Sequence, residues 1–358
     1  MLKKRRKAGI AAVLLAAVLV LAGAALFWRL AREEPKAAQE PAADADIELS
    51  AWLADWQWQA GLEDAGEIGS GLQGLQLFAV YFNQDGRLYF TEALREALPD
   101  IHEIAGDATE SIGLTIVNDR INPDGTSVQK DAELVSKLIA TEESRTRHIA
   151  EIMETMSSYH LDRIEIDYEK VKDEDWERLC LFYDELYDEL QSAGKSLRIV
   201  LEPGAPLDSV SLPEGPEYVM MAYNLYGTHS GPGPKADYAM IRKLADKMAR
   251  LPGDPVMAFS TGGFDWAESG EITSVTEQAA EKLAGGQGES LIRDDQSGAL
   301  SFKYRDDKGL THTVWYGDGQ TMAGWIQAAG DQGITKIAIW KLGGLGQGTL
   351  DYFRAIPL

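Results

Sequence analysis

Residues 161–169 read Leu-Asp-Arg-Ile-Glu-Ile-Asp-Tyr-Glu. Glu165, Asp167 and Glu169 alternate with Ile164, Ile166 and Tyr168, the two-residue period of a β-strand, so the three carboxylates share one face. A helix would scatter them, and the β-branched isoleucines also favour a strand. Like charges stacked this closely cannot all ionise freely. At least one of these acids is expected to keep its proton near neutral pH, as a general acid must. Asp162 falls off this face and is expected to be structural.

The rest of the chain must supply a fold that carries such a strand. Seven further strand-like runs are expected at 48–55, 76–82, 112–118, 197–202, 218–223, 255–261 and 336–340, with the acid strand at 163–169 the fourth of eight. Amphipathic stretches lie between several of them. Residues 145–159 place Ile149, Ile152, Met153 and Met156 on one face, and 173–192 do the same with Trp176, Leu179, Cys180, Phe182 and Leu186; helices are also expected at 236–251 and 322–330. Eight strands with intervening helices predict an α/β fold, a (β/α)8 barrel. An open doubly wound sheet would carry a Gly-rich phosphate loop after its first strand, and none is present. Residues 264–335 are too many for one βα unit. Within them, 299–304 and 311–316 flank a turn at Asp307-Lys308-Gly309, which predicts a hairpin in a small α+β excursion on the barrel rim.

Charge is divided unevenly. Residues 1–32 hold seven of the 34 Lys/Arg and no acid, which leaves 27 basic residues against 57 acids in the remainder. A body that acidic repels nucleic acid, and no nucleic-acid partner is expected. Residues 3–7 form a basic cluster, followed by a charge-free run of 21 residues from Ala8 to Trp28. That length spans a hydrocarbon core of roughly 30 Å. Residues 1–30 are therefore expected to form a transmembrane signal-anchor, with the basic end cytoplasmic and the globular part outside the cytoplasm. The rival is a cleavable signal ending at Ala22-Gly23-Ala24, which would make the protein secreted. Residues 31–46, rich in Ala, Glu and Pro, read as a flexible tether to a domain over 47–358. The single cysteine, Cys180, excludes an internal disulfide framework. The five histidines show no metal-ligand spacing, so no metal or cofactor is expected, and no Ser/His/Asp order suggests a nucleophile.

Barrels of this kind place their chemistry at the C-terminal strand ends. Glu169 closes the fourth expected strand and should lie at the mouth, with Asp167 one layer deeper and Glu165 deeper still. Other strand ends offer Trp56, Tyr81, Asn118, Glu202, Tyr223, Asn224, Trp266 and Trp340. Aromatic rings around carboxylates suit a carbohydrate, whose apolar faces stack while its hydroxyls hydrogen-bond.

Residues 162–169 resemble the D-G-x-D-x-D-x-E signature of glycoside hydrolase family 18, the chitinase-like family. Val219-Met220-Met221-Ala222-Tyr223-Asn224 resembles that family's M-x-Y-D segment. Ser230-Gly231-Pro232-Gly233-Pro234, His312-Thr313-Val314-Trp315-Tyr316 and residues 337–344 resemble its branch of spore-cortex and germination glycosidases. The resemblance covers about residues 47–358 and implies substrate-assisted hydrolysis of β-linked N-acetylhexosamine, an exception to the two-carboxylate scheme. It implies that Glu169 is the general acid and base, that Asp167 orients the substrate acetamide, and that Tyr223 hydrogen-bonds the acetamide oxygen. Glu165, Asn224, Trp340, Tyr81, Asn118 and Trp266 are expected to bind substrate, a peptidoglycan or chitin-like glycan, with a buried proton-sharing partner of the other acids as the favoured alternative for Glu165. Three positions depart from the pattern: Arg163 replaces Gly, Glu165 replaces Asp, and Asn224 replaces Asp. The alternative reading is a membrane-tethered carbohydrate-binding barrel with weak or no catalysis.

Overall fold

The computed structural model describes residues 47–108, 111–287 and 290–356, so the expected anchor (1–30) and tether (31–46) lie outside the described residues. Among those described, no helix is long and apolar enough to cross a membrane. Eight parallel strands follow one another round a closed barrel. They are β1 (Glu48–Ala54), β2 (Gly74–Phe82), β3 (Ser111–Ile121), β4 (Arg163–Asp167), β5 (Ser196–Leu201), β6 (Glu217–Met221), β7 (Val256–Ser260) and β8 (Lys336–Trp340). Each pairs with the next, and β8 returns to β1 through Ile337–Leu49 and Ile339–Ala51. This is the expected (β/α)8 barrel.

The helix Glu142–Ser158 illustrates how the outer layer is specified. Thr141 and Ser144 exchange side-chain and backbone bonds in a capping box, and Glu142 and Glu143 occupy the positive end of the helix dipole. Ile149, Ile152 and Met156 point inward, each worth roughly 1.5–3 kcal/mol when fully buried. His160 stops the helix with a left-handed backbone (φ 53°). Trp176–Ser192, Tyr238–Met248 and Gly319–Gly330 are the other helices anticipated by the sequence pattern. Trp58–Ile68, Glu92–Ala108, Ala132–Leu138 and Gln347–Arg354 are additional.

Register builds the barrel interior. Thr115, Glu165, Arg198 and Glu217 are successive partners across β3, β4, β5 and β6, so they form one transverse row. Above this row an apolar group including Trp52, Val200, Val219, Met221 and Tyr223 fills the lumen.

Five strands end earlier than expected: β1 at Ala54 rather than Asp55, β4 at Asp167 rather than Glu169, β5 at Leu201 rather than Glu202, β6 at Met221 rather than Tyr223, and β7 at Ser260 rather than Thr261. After β4 and β6 the chain turns out of the ladder, with φ of 53° at Lys170 and 65° at Asn224. The excursion is a five-stranded antiparallel sheet with the helix Glu277–Gln287 on it. It starts at Gly262 and its last strand ends at Gly317, so the expected 264–335 overran into the barrel helix that precedes β8. The predicted hairpin is present as Leu300–Arg305 and Thr311–Gly317, closed by Gly309 at φ 83°.

Candidate active site

A cavity of about 730 Å³ opens at the C-terminal end of the barrel. Of the residues expected at the site, Asp167, Glu169, Tyr223, Asn224, Trp340, Tyr81 and Asn118 line it. Glu165 and Trp266 do not.

Glu169 lies two residues beyond β4, where backbone pairing has ended. Its position is held instead by Asn118 of β3. The Asn118 side-chain amide donates to the Glu169 carbonyl at 2.9 Å, and its Oδ1 accepts from the Glu169 N–H at 3.0 Å. One side chain thus stands in for two ladder bonds. The Glu169 carboxylate accepts a hydrogen bond from Lys130, which also pairs with it in charge. Burial pushes the Glu169 carboxyl up, the Lys130 charge and hydrogen bond pull it back, and the nearby Glu202 raises it; the balance stands at about 7. Burial works against the Lys130 ammonium, but Glu169 outweighs it and raises Lys130.

Asp167 sits beneath Glu169, 9 % exposed. Burial, then the charges of Glu169 and Glu165, hold its pKa well above the usual carboxylate range. Its Oδ1 is buried without a hydrogen-bond partner among the described residues, a free acceptor at the cavity. Tyr223 is buried at the wall, and burial followed by the nearby acids raises its phenol well above 10. Asn224 is exposed in the left-handed region, which Asn tolerates better than most side chains.

Glu165, expected to touch substrate, is fully buried instead. Trp52 Nε1 and Thr115 Oγ1 donate to its Oε1 at 2.6 and 2.7 Å. Arg198 Nε lies 2.9 Å from Oε2, close enough to pair in charge though not aligned as a hydrogen bond. The extra methylene of Glu over Asp reaches this row, and the residue closes the barrel floor. Trp266, also expected at the substrate, packs in the excursion beside Phe264 and donates to the Ser230 carbonyl at 3.1 Å.

The aromatic lining is a set of edge-on contacts in which the Trp340 ring meets Trp52, Trp56 and Phe78, with centres 5.9, 6.4 and 4.5 Å apart. Trp56 is 57 % exposed in the cavity wall, an open face for a flat ligand. Asp55, Asp119 and Lys130 also line the cavity, and the sequence reading did not single them out. Asp55 accepts from Tyr81 at 3.2 Å and Thr91 at 2.5 Å, and burial raises its pKa. It ends the first expected strand, so the strand-end rule could have found it. Lys130 sits in a loop with no sequence signal.

A family model described as "Glycosyl hydrolases family 18" matches residues 129–344. The sporulation-specific glycosylase YdhD of Bacillus subtilis (strain 168) is 25% identical over 226 residues, 59% of this chain and 54% of that protein. The "Cortical fragment-lytic enzyme" of Bacillus anthracis is 26% identical over 232 residues, 59% of this chain and 53% of that protein. The chain thus spans about half the length of the curated relatives it matches. Among solved structures, the spore cortex-lytic enzyme SleL of Bacillus cereus superposes with a TM-score of 0.72 at 22% identity, covering 86% of this chain and 73% of that one.

Proposed function

The chain belongs to family 18 of the glycosyl hydrolases, and on that premise we propose that it hydrolyses β-linked N-acetylhexosamine polymers, with peptidoglycan as the substrate. The observation that carries this reading is Glu169, held by Asn118 at the barrel mouth with a carboxyl near 7, above the buried Asp167. An acid poised there can both give and take a proton at neutral pH. Protonated Glu169 donates to the glycosidic oxygen while the substrate's acetamide oxygen attacks the anomeric carbon and the C–O bond breaks. The free Oδ1 of Asp167 accepts from the acetamide N–H and steadies the charge on the cyclic intermediate. Tyr223 donates to the acetamide oxygen. Water then attacks the same carbon, returns a proton to Glu169 and reopens the ring, so configuration is retained. The similarity to a sporulation-specific glycosylase and a cortical fragment-lytic enzyme favours peptidoglycan over chitin.

The test compares wild type with Glu169→Gln on a fluorogenic N-acetylglucosaminide and on purified peptidoglycan. Cleavage by wild type alone supports the reading. Absence of turnover by wild type across about pH 4–8 overturns it.

A second reading follows from the Lys130–Glu169 ion pair, which favours an ionised acid, and from Asn224, which lacks the charge of the family's Asp. Both suit a carbohydrate-binding barrel with little or no turnover, and binding of glycan strands without products identifies it. We further propose that residues 1–30 anchor the domain on the outer face of the cell membrane. Full-length protein in membrane fractions supports this, and a released product beginning near Ala25 overturns it.

A further inference from the structure

A second cavity, of about 270 Å³, lies beside the catalytic one, and Trp56, Asn224 and Trp340 line both. Two lysines line the second cavity, from different loops of the barrel mouth. Lys235, after β6, donates to Ser260 Oγ at 2.9 Å and to the Thr261 carbonyl at 2.8 Å, with its ammonium 5.1 Å from the centre of the Phe264 ring. Lys341, directly after β8, donates to Gln57 Oε1 at 2.5 Å and lies 5.9 Å from the Trp56 ring.

Every one of these contacts is to a neutral group. Among the described lysines only Lys130, Lys172, Lys195 and Lys336 pair with a carboxylate; Lys235 and Lys341 pair with none and are, in addition, half-buried together in one cavity. Burial, followed by the charge of Lys341, pulls Lys235 down to about 7. Burial also lowers Lys341, opposed by Asp64. Asp64 itself is occupied, accepting from the N–H groups of Gly343 and Leu345 at 2.6 and 3.2 Å. Glu277 in the wall accepts from Thr349 at 2.8 Å, and burial raises it to about 7. The cavity therefore brings together two lysines that lack an ion-pair partner, beside Asp64 and Glu277, whose hydrogen bonds go to other groups.

An anionic group on a bound ligand would supply the missing partner through charge-assisted hydrogen bonds to both ammonium groups. These bonds are stronger where water is partly excluded. Trp56 and Trp340 form the shared wall, so a glycan stacked in the catalytic cavity presents its substituents to the second one. We propose that the second cavity is a carboxylate-binding subsite, selecting N-acetylhexosamine strands that carry lactyl or peptide carboxylates over neutral chitin-type strands. The proposal rests on the reading of the adjoining cavity as a glycan site.

The test uses the full chain bearing Glu169→Gln, so that binding is read without turnover. Calorimetry measures Kd for three tetrasaccharides: a neutral chitin oligomer, a peptide-free strand with lactyl carboxylates, and the same strand with peptides attached. The expected result is about tenfold tighter binding of a carboxylate-bearing strand than of the neutral one. Lys341→Met is expected to cut that ratio to about twofold or less, with a smaller effect on the neutral strand. Lys235→Met should do the same; because it also removes two bonds to β7 and the residue after it, its melting temperature is read alongside. Preference for the peptide-free strand identifies the lactyl group as the ligand, and preference for the peptide-bearing strand identifies the stem. Equal binding of all three, or a preference that survives Lys341→Met, overturns the subsite. Hydrolysis by wild type is scored separately. Turnover without charge preference refutes the subsite alone, and charge preference without turnover refutes the hydrolase reading alone.

Discussion

Glu165 and Glu169 are the same residue type four positions apart, and the barrel treats them in opposite ways. Glu165 has every approach closed. Thr115 and Trp52 donate to one of its oxygens, and Arg198 neutralises the other from the adjacent strand. Glu169 is beyond the strand, fixed through its backbone by Asn118, with its carboxylate left at the cavity beside one lysine. At the floor, side chains bind the carboxylate and leave it nothing to do except close the barrel. At the mouth, the protein holds the backbone and leaves the carboxylate available. A reactive acid is thus distinguished less by its charge than by which of its atoms the protein has already used.

The largest effect should come from Glu169→Gln, which is expected to lower kcat by about 10²–10⁴-fold while leaving the melting temperature unchanged. Glu165→Leu should do the reverse. It leaves the buried Arg198 with Glu217 at 3.5 Å as its one remaining acid and is expected to cost about 3 kcal/mol, seen as an earlier denaturant midpoint, with much of the loss recovered in the double variant Glu165→Leu, Arg198→Met. If Glu165→Leu kept full stability and lost activity, the contrast between floor and mouth would collapse. Asn118→Ala releases the Glu169 backbone and is expected to lower kcat/KM by about 10²-fold, the scale of a 1 Å misplacement, without altering the identity of the titrating group. The smallest change should be Lys130→Met. In wild type the acid must be protonated, so kcat/KM should fall as pH rises above about 7. Lys130 lowers the Glu169 pKa, so its removal should move this limb to higher pH by about one unit or more. A limb that stays in place would mean that Lys130 does not set the acid.

The period of two in residues 163–167 was sufficient to identify the acid strand, and the alternation of strands with helices was sufficient to identify the barrel. The errors have physical causes. Trp58–Ile68 escaped notice because Gly61 and Gly66 interrupt its period, although packing demands the first. A Cβ at Gly61 would lie 2.3 Å from Leu53 Cδ1. Strand ends were overrun at Glu169 because the extended backbone continues after its ladder partners have been replaced by a side chain, which periodicity cannot register. The burial of Glu165 did have a signal. Arg198 interrupts the apolar run Leu197–Leu201, and an arginine inside a central strand needs an acid beside it. Trp266 lies away from the substrate cavity because by Gly262 the chain has already left the barrel strand and entered the excursion sheet.

The way that sheet joins the barrel has a wider consequence. Gly262, where it begins, is paired directly with Gly317, where it ends. Departure and return are therefore one strand spacing apart, about 5 Å. The insertion thus leaves and rejoins the barrel at one point, while Glu277, Arg293 and Ser297 inside it bond Thr349, Asp318 and Trp325 of the barrel helices and their caps. Phe264 and residues 274–277 of the insertion border the second cavity, while Asp167, Glu169 and Tyr223 belong to the barrel. Substitutions confined to the insertion's cavity-facing residues therefore alter the second cavity and leave the proton-transfer residues in their own frame.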